Sequence, residues 1–386
     1  MIDVCVNRKA ADRVASGHPW IFSSDVTNRE GAEPGAVVQV MDHKRRPIGT
    51  AHYSSSSQIC LRMLSPRVEL VDAPFFERRL AAAADFRRFV VSGSDAYRLV
   101  NTEADQLPAL IVDRYGDYLV AQMLDQGMDR AKDSIVSGLV NLFAPRGIVL
   151  RNDATVRRKE ELARETVVAH GEVPAFVQVR MNGIEFHADL LGGQKTGIFL
   201  DQRENYVAVA RYARGRALDC FTSTGGFALH MAAQCDSVEA VDSAAAALST
   251  AEKNRRANAI GNVEFREADA FDLLAGYSSA RREFSTVVLD PPAFAKSRTN
   301  LEGALRGYKE INLRALRLLS PGGVLVTCSC SHHVSEAALL EVVAAASLDA
   351  KRTLRVLERR TQSQDHPILL TVPETHYLKC LILQVV

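Results

Sequence analysis

The chain has 386 residues, 47% of them hydrophobic, and sets 47 lysines and arginines against 46 acids for a net charge of +1. That length predicts two or three domains with real cores, while the balanced charge leaves no global nucleic-acid footprint and counts mildly against an RNA substrate. No window reaches the apolar length of a membrane span, the start Met1-Ile2-Asp3-Val4-Cys5 is no signal peptide, and seven scattered cysteines predict a reducing cytoplasm.

Residues 1–72 alternate short strands with turns, as in Gly35-Ala36-Val37-Val38-Gln39-Val40-Met41 and Pro47-Ile48-Gly49-Thr50-Ala51-His52-Tyr53, which predicts a small β-barrel. Trp20, the one tryptophan, reads as a core residue rather than a base-stacking platform. The pattern changes over 73–175 to a mixed α/β module. Its helix from Pro74 to Val90 should turn Phe75, Phe76, Leu80, Phe86 and Phe89 inward. Strands are expected at Ala109–Val112, Tyr118–Met123 and Gly147–Arg151, with a helix over 129–143. Basic clusters at His43-Lys44-Arg45-Arg46, Arg78-Arg79 with Arg87-Arg88, and Arg157-Arg158-Lys159 each read singly as a solvated face. Residues 176–190 alternate like a hairpin and lead into the third domain, 176–386.

That third domain should be α/β, a doubly wound parallel sheet closed by an antiparallel C-terminal hairpin made of Ile368–Val372 and Tyr377–Val385. Arg216 to Phe227 reads as strand, tight turn and helix start, with Gly225 and Gly226 in the turn. The G-x-G-x-x-G pattern of a dinucleotide site is absent. Val238-Glu239-Ala240-Val241 ends in Asp242, where an acid can hold ribose hydroxyls. Val263-Glu264-Phe265 leads to Ala268-Asp269-Ala270, and Val287-Val288-Leu289 leads to Asp290-Pro291-Pro292. An acid after one strand is usually a cap or turn. Four of them, Asp219, Asp242, Asp269 and Asp290, in one βαβα series point to a ligand beyond the strand ends. The next apolar run, Val324-Leu325-Val326, exits through Thr327-Cys328-Ser329-Cys330-Ser331. A carboxylate and a thiol are thus aimed at one crevice. With no second pair at zinc spacing, this C-x-C does not read as a structural metal site.

Together with His18-Pro19-Trp20-Ile21-Phe22, the run from Asn101 to Arg114, Leu191 to Arg203, Asp365-His366-Pro367 and Tyr377-Leu378-Lys379, these blocks resemble, over essentially the whole chain, the class I S-adenosylmethionine-dependent methyltransferases. More narrowly they resemble the RlmI/RlmO family of ribosomal RNA 5-methylcytosine methyltransferases. The resemblance implies a PUA-like RNA-binding domain at 1–72, a central domain at 73–175 that helps hold RNA, and a Rossmann-like methyltransferase domain. It implies S-adenosyl-L-methionine as cofactor, 23S ribosomal RNA as substrate, in a protein-poor precursor, no membrane, and compatibility with a homodimer. Asp219, Phe221, Gly225 and Gly226 would hold the methionine end; Asp242 would bind the ribose; Asp269 and Ala270 would meet the adenine edge. Gln194, Lys195, Thr196 and Gly197, with Asp201, would close over the methionine portion, and Asp290 would also contact the cofactor.

Carbon 5 of cytosine is too weak a nucleophile to take a methyl group from a sulfonium unaided. A thiolate added at carbon 6 makes the ring enamine-like, which splits one hard step into easier ones. The thiol must be reachable and partly ionised, and a carboxyl that carries or shares a proton can stabilise the ring near nitrogen 3. Asp290 is the expected carboxyl, held rigid by Pro291-Pro292, which lack backbone donors. In the resembling enzymes the thiol comes seven residues after the second Gly of the preceding turn. From Gly323 that position is Cys330; Cys328, two residues earlier, also fits the Thr-Cys-Ser letters. The expected nucleophile is Cys330, with Cys328 a buried neighbour. His332 and His333 are candidates for the base that frees the product. Two other readings stay open: another base methyltransferase on the same fold, such as a guanine-N7 enzyme, and a non-catalytic RNA-binding assembly factor.

Overall fold

The computed structural model describes residues 1–193, 195–294 and 300–386. The chain divides into two compact units: residues 1–180 with 188–198 and 364–375, and residues 181–187 with 199–363 and 376–386.

The first unit holds two sheets. One has six strands in the order Trp20–Phe22, Ile59–Ser65, Pro47–Tyr53, Val37–Met41, Ile2–Val6 and Val26–Asn28. Its first and last strands are consecutive in the chain, separated by the single turn Ser23–Asp25, so the sheet curls into a near-barrel. Val4, Val6, Ile21, Val38, Val40 and Leu61 fill it. Trp20 is half-buried rather than core, because its indole N–H donates to Glu103 Oε1 at 2.9 Å.

The other sheet has five strands, in the order Glu165–Gly171, Gly147–Asn152, Tyr118–Met123, Leu110–Tyr115 and Ala96–Asn101. The first and last were not expected: Glu165–Gly171 is an exposed edge, so it lacks an apolar run. The helix Ala73–Val90 starts where Asp72 accepts a hydrogen bond from Phe75 N–H at 3.1 Å. It buries Phe75, Phe76 and Leu80 as expected, but Phe86 faces outward and Phe89 is 86% exposed. The inward stripe continues instead through Ala83, Ala84 and Arg87. A guanidinium takes a core position there because Asp105 neutralises it and the carbonyls of Arg98 and Asp365 accept its other N–H groups at 2.8 Å.

In the second unit seven strands form one sheet: β1 (Gly215–Cys220), β2 (Cys235–Asp242), β3 (Val263–Glu267), β4 (Phe284–Leu289), β5 (Leu319–Ser329), β6 (Leu354–Arg360) and β7 (Lys379–Val385). Their order is β3-β2-β1-β4-β5-β7-β6, with β7 antiparallel to both neighbours and the first five parallel. The strand order reverses between β1 and β4, the switch point beyond which open α/β sheets bind ligands. The expected C-terminal hairpin exists, but its first strand is β6 and not Ile368–Val372. Pro367 and Pro373 bracket that stretch without backbone donors, and Leu370 is 98% exposed. β6 escaped notice because an edge strand rich in arginine and glutamate shows little apolar alternation.

Candidate active site

Every element of the crevice comes from the second unit. Beyond β1 the backbone turns sharply: Phe221, Ser223 and Gly225 all have positive φ (65°, 50° and 89°). The turn is held by Asp219, whose Oδ2 accepts the Thr222 hydroxyl at 2.6 Å and Ala228 N–H at 3.1 Å. Gly226 opens the following helix, and a Cβ there would sit 2.4 Å from the Tyr206 ring, so only glycine fits.

Asp219 is fully buried, and its Oδ1 has no hydrogen-bond partner. A buried carboxylate oxygen left unpaired is costly, and a ligand ammonium would satisfy it. Burial pushes its carboxyl up to about 7. The raised value has a stability consequence: the folded state holds a proton that the unfolded chain has released above about 4, so this contribution, full at low pH, is lost as pH rises through about 7. The urea midpoint of Asp219→Asn should therefore gain on the wild type between pH 5 and 8; a constant difference across that range would contradict the assignment.

Asp242, at the end of β2, accepts Ser223 N–H at 2.8 Å on Oδ2 and Ala244 N–H at 2.9 Å on Oδ1. Its carboxylate is thereby locked beside the turn after β1. Each oxygen keeps a lone pair for a further donor. Asp269 is exposed and caps the helix Ala270–Ser279, taking the N–H groups of Phe271 and Asp272. Ala270 is buried with its methyl in the core, which leaves its backbone as the part that could meet a ligand edge.

Asp290 leaves β4 at the level of the β1 turn, its N–H reaching Cys220 O at 3.4 Å. The Gln202 amide donates to Asp290 Oδ2 at 3.1 Å, and Asn205 holds Gln202 Oε1 at 2.6 Å. Asp201 is buried, its Oδ2 accepting the Tyr377 hydroxyl at 2.9 Å. Gln202 was overlooked as a site residue although it stands in a motif block, because a glutamine carries no spacing signature of its own.

The two cysteines are separated sharply by environment. Cys328 lies within β5, 0% exposed, opposite Cys380 of β7, and burial pushes its thiol well above the usual range. Cys330 is past the strand end and partly exposed. Tyr308, buried on the helix Leu301–Leu318, bonds the Ser331 hydroxyl at 3.2 Å and feels both Cys330 and Asp290. His332 and His333 are exposed, the former ring 5.8 Å from Tyr377. Lys379, 3% exposed at the start of β7, was also missed: a lysine opening a strand reads from sequence as a solvated end.

Lys195, Thr196 and Gly197 belong to the first unit, and Gln194 lies outside the described residues. Thr196 donates to Asp113 Oδ2 at 2.6 Å and lies 2.9 Å from the Tyr115 hydroxyl. Among the described residues no helix is long and apolar enough to cross a membrane, and no cluster of histidine, cysteine or acidic side chains could hold a metal.

Residues 4–66 match the family of PUA-like domains, and residues 154–383 match the S-adenosylmethionine-dependent methyltransferases. The chain is 42% identical over 378 residues to the ribosomal RNA large subunit methyltransferase I of Shewanella denitrificans, covering 95% of each chain. It is 41% identical to the protein of the same name from Klebsiella pneumoniae, covering 94% of this chain and 93% of that one. Among solved structures it superposes with TM-score 0.87, at 21% identity and full coverage of both chains, on the methyltransferase SMU.776 complexed with SAH. A SAM-dependent methyltransferase structure from Streptococcus mutans gives 0.85 at 21% identity, also over the full length of both chains.

Proposed function

The chain belongs to the S-adenosylmethionine-dependent methyltransferases, with a PUA-like domain ahead of the methyltransferase domain, and on that premise we propose that it methylates carbon 5 of a cytosine in large-subunit ribosomal RNA. The substrate class follows the names of its close relatives. One observation carries the cytosine reading: a partly exposed Cys330 just past β5 and Asp290 just past the neighbouring β4, with Tyr308 in electrostatic reach of both. A guanine-N7 enzyme needs no such thiol.

S-adenosylmethionine supplies an electrophilic methyl group when bound. Cys330 adds as thiolate to carbon 6, with Asp290 sharing a proton at nitrogen 3 to absorb the charge. Carbon 5 could then accept the methyl group that the cofactor would supply, its proton would pass to a base for which His332 and His333 are the candidates, and the carbon–sulfur bond would break to regenerate the thiolate. The Pro291-Pro292 turn and the Gln202 amide keep the carboxyl aimed. Cys328 is withheld from this role by burial. The thiol must stay reduced, which fits work in the cytoplasm; action on a protein-poor ribosomal RNA precursor rests on the family resemblance.

For the cofactor we assign Asp219 Oδ1 to the methionine ammonium, the turn at Phe221, Gly225 and Gly226 to the methionine end, Asp242 to the ribose, and Asp269 with the Ala270 backbone to the adenine edge. The role of Lys195, Thr196 and Gly197 over the methionine portion rests on the motif pattern, as does that of Asp201. Asp242→Ala should weaken S-adenosylmethionine binding by roughly 1.5–3 kcal/mol, the worth of charge-assisted hydrogen bonds. Unchanged calorimetric affinity would remove Asp242 from the site. The reading as a whole is tested by incubating the protein with labelled S-adenosylmethionine and protein-free 23S ribosomal RNA. Label recovered as 5-methylcytosine supports it; label on guanine N7, or cofactor binding without transfer, overturns it.

A further inference from the structure

Lys379 has no part in the reaction as described, yet among the described residues it is a lysine buried to 3% exposure at the strand end next to Cys330. β7 runs antiparallel to β5 with Ser329 opposite Lys379, so the ammonium emerges at the strand end where Cys330 leaves the sheet. Its Nζ donates to Ser331 O at 2.7 Å and to Tyr377 O at 2.9 Å. Two carbonyls thus fix a cation one residue beyond the thiol. Only 3% of the side chain is exposed, so water screens the charge poorly. The charged groups acting on Lys379 are Cys330, from the exit of β5, and Glu336, from the helix Glu336–Asp349. Tyr308 is in electrostatic reach of both Cys330 and, past β4, Asp290.

Resting on the assignment of Cys330 as nucleophile, we propose that Lys379 is a positioning residue that stabilises the Cys330 thiolate and holds the Cys330–Ser331 backbone in place. An anion beside a fixed, desolvated cation ionises more readily than a free thiol. Burial lowers the Lys379 ammonium to about 8, so it still carries its charge through most of the neutral range where the thiolate is needed. Expelling the thiolate from carbon 6 at the end of the cycle draws on the same stabilisation, since a better-stabilised anion leaves faster.

The test follows iodoacetamide alkylation of Cys330 from pH 6 to 10, located by mass spectrometry in the full-length protein, for wild type, Lys379→Arg and Lys379→Gln. Glutamine keeps an N–H donor for the two carbonyls and loses the charge, so a purely structural role leaves its curve where the wild type's is. We expect Lys379→Gln to raise the midpoint by about one pH unit, slowing alkylation roughly tenfold at pH 7 with the same plateau. Lys379→Arg should follow the wild type. A second measurement avoids any change at Lys379: in Cys330→Ala the Nζ titration, read by lysine-selective NMR, should move to lower pH because the neighbouring anion is gone. Superimposed Lys379→Gln and wild-type curves, or an unmoved Nζ titration, overturn the proposal. Loss of the covalent RNA adduct chemistry would instead overturn the nucleophile assignment while leaving the alkylation linkage intact, so the two failures are distinct.

Discussion

Cys330→Ala should eliminate both methyl transfer and covalent capture of RNA carrying 5-fluorocytosine at the target, while Cys328→Ala should retain the capture. Fluorine at carbon 5 replaces the proton that must depart, so the cycle stalls after methyl transfer with enzyme and RNA joined through sulfur. The adduct survives denaturing gels because the carbon–sulfur bond is covalent. The contrast between the two variants follows from environment. Cys330 stands in the partly open strand exit, whereas Cys328 is sealed between β5 and β7 with its thiol held protonated by burial. Cys328→Ala removes a sulfur from a packed core and should cost some stability without touching chemistry. Capture lost in Cys328→Ala alone would mean that the buried sulfur is the nucleophile. Capture and methylation surviving both changes would end the covalent mechanism.

Asp290→Asn should keep appreciable S-adenosylmethionine affinity and lose turnover by roughly 10²–10⁴, the range for removing a general acid. The amide is nearly the same shape and can still accept from Gln202, so the fold around β4 should persist. What it loses is the ability to carry or share a proton at nitrogen 3. Single-turnover rates with saturating cofactor and RNA separate this from a binding defect. A variant with wild-type single-turnover rate would exclude Asp290 from the chemical step. A variant that instead failed to bind cofactor would leave Asp290 with its cofactor-binding role and remove the case for the catalytic one.

Much of the second unit was legible because the ends of its central strands are short apolar runs, Val287-Val288-Leu289 and Val324-Leu325-Val326 being buried throughout, and because four of its strands end at or near an acid. A parallel strand inside a sheet has no solvated face, so its composition announces it. The near-barrel could be read from evenly spaced turns. Edges could not. Glu165–Gly171 and β6 are polar on at least one side and owe their pairing to neighbours far away in sequence. The outward Phe89 and inward Arg87 show the same limit for a helix. Residue type indicates an apolar face only until a buried ion pair changes which side is inward.

The motif spacing alone singled out the acids at the ends of β1, β2, β3 and β4 and the pair of cysteines at the end of β5, because those residues are local to strand ends and strand ends recur in order. It could not rank the two sulfurs by face, since alternation places both on the same side of the strand. Only the tertiary structure separates their surroundings, with Cys328 buried opposite Cys380 of β7 and the β5 pairing ended before the partly exposed Cys330. It alone brought Gln202 onto Asp290, left Asp219 Oδ1 buried and unpaired, and set the Lys379 ammonium on the Ser331 carbonyl, one residue past Cys330. These are contacts between segments tens of residues apart, and burial and charge at a site are properties of the neighbours that folding assembles, which no local pattern of residues encodes.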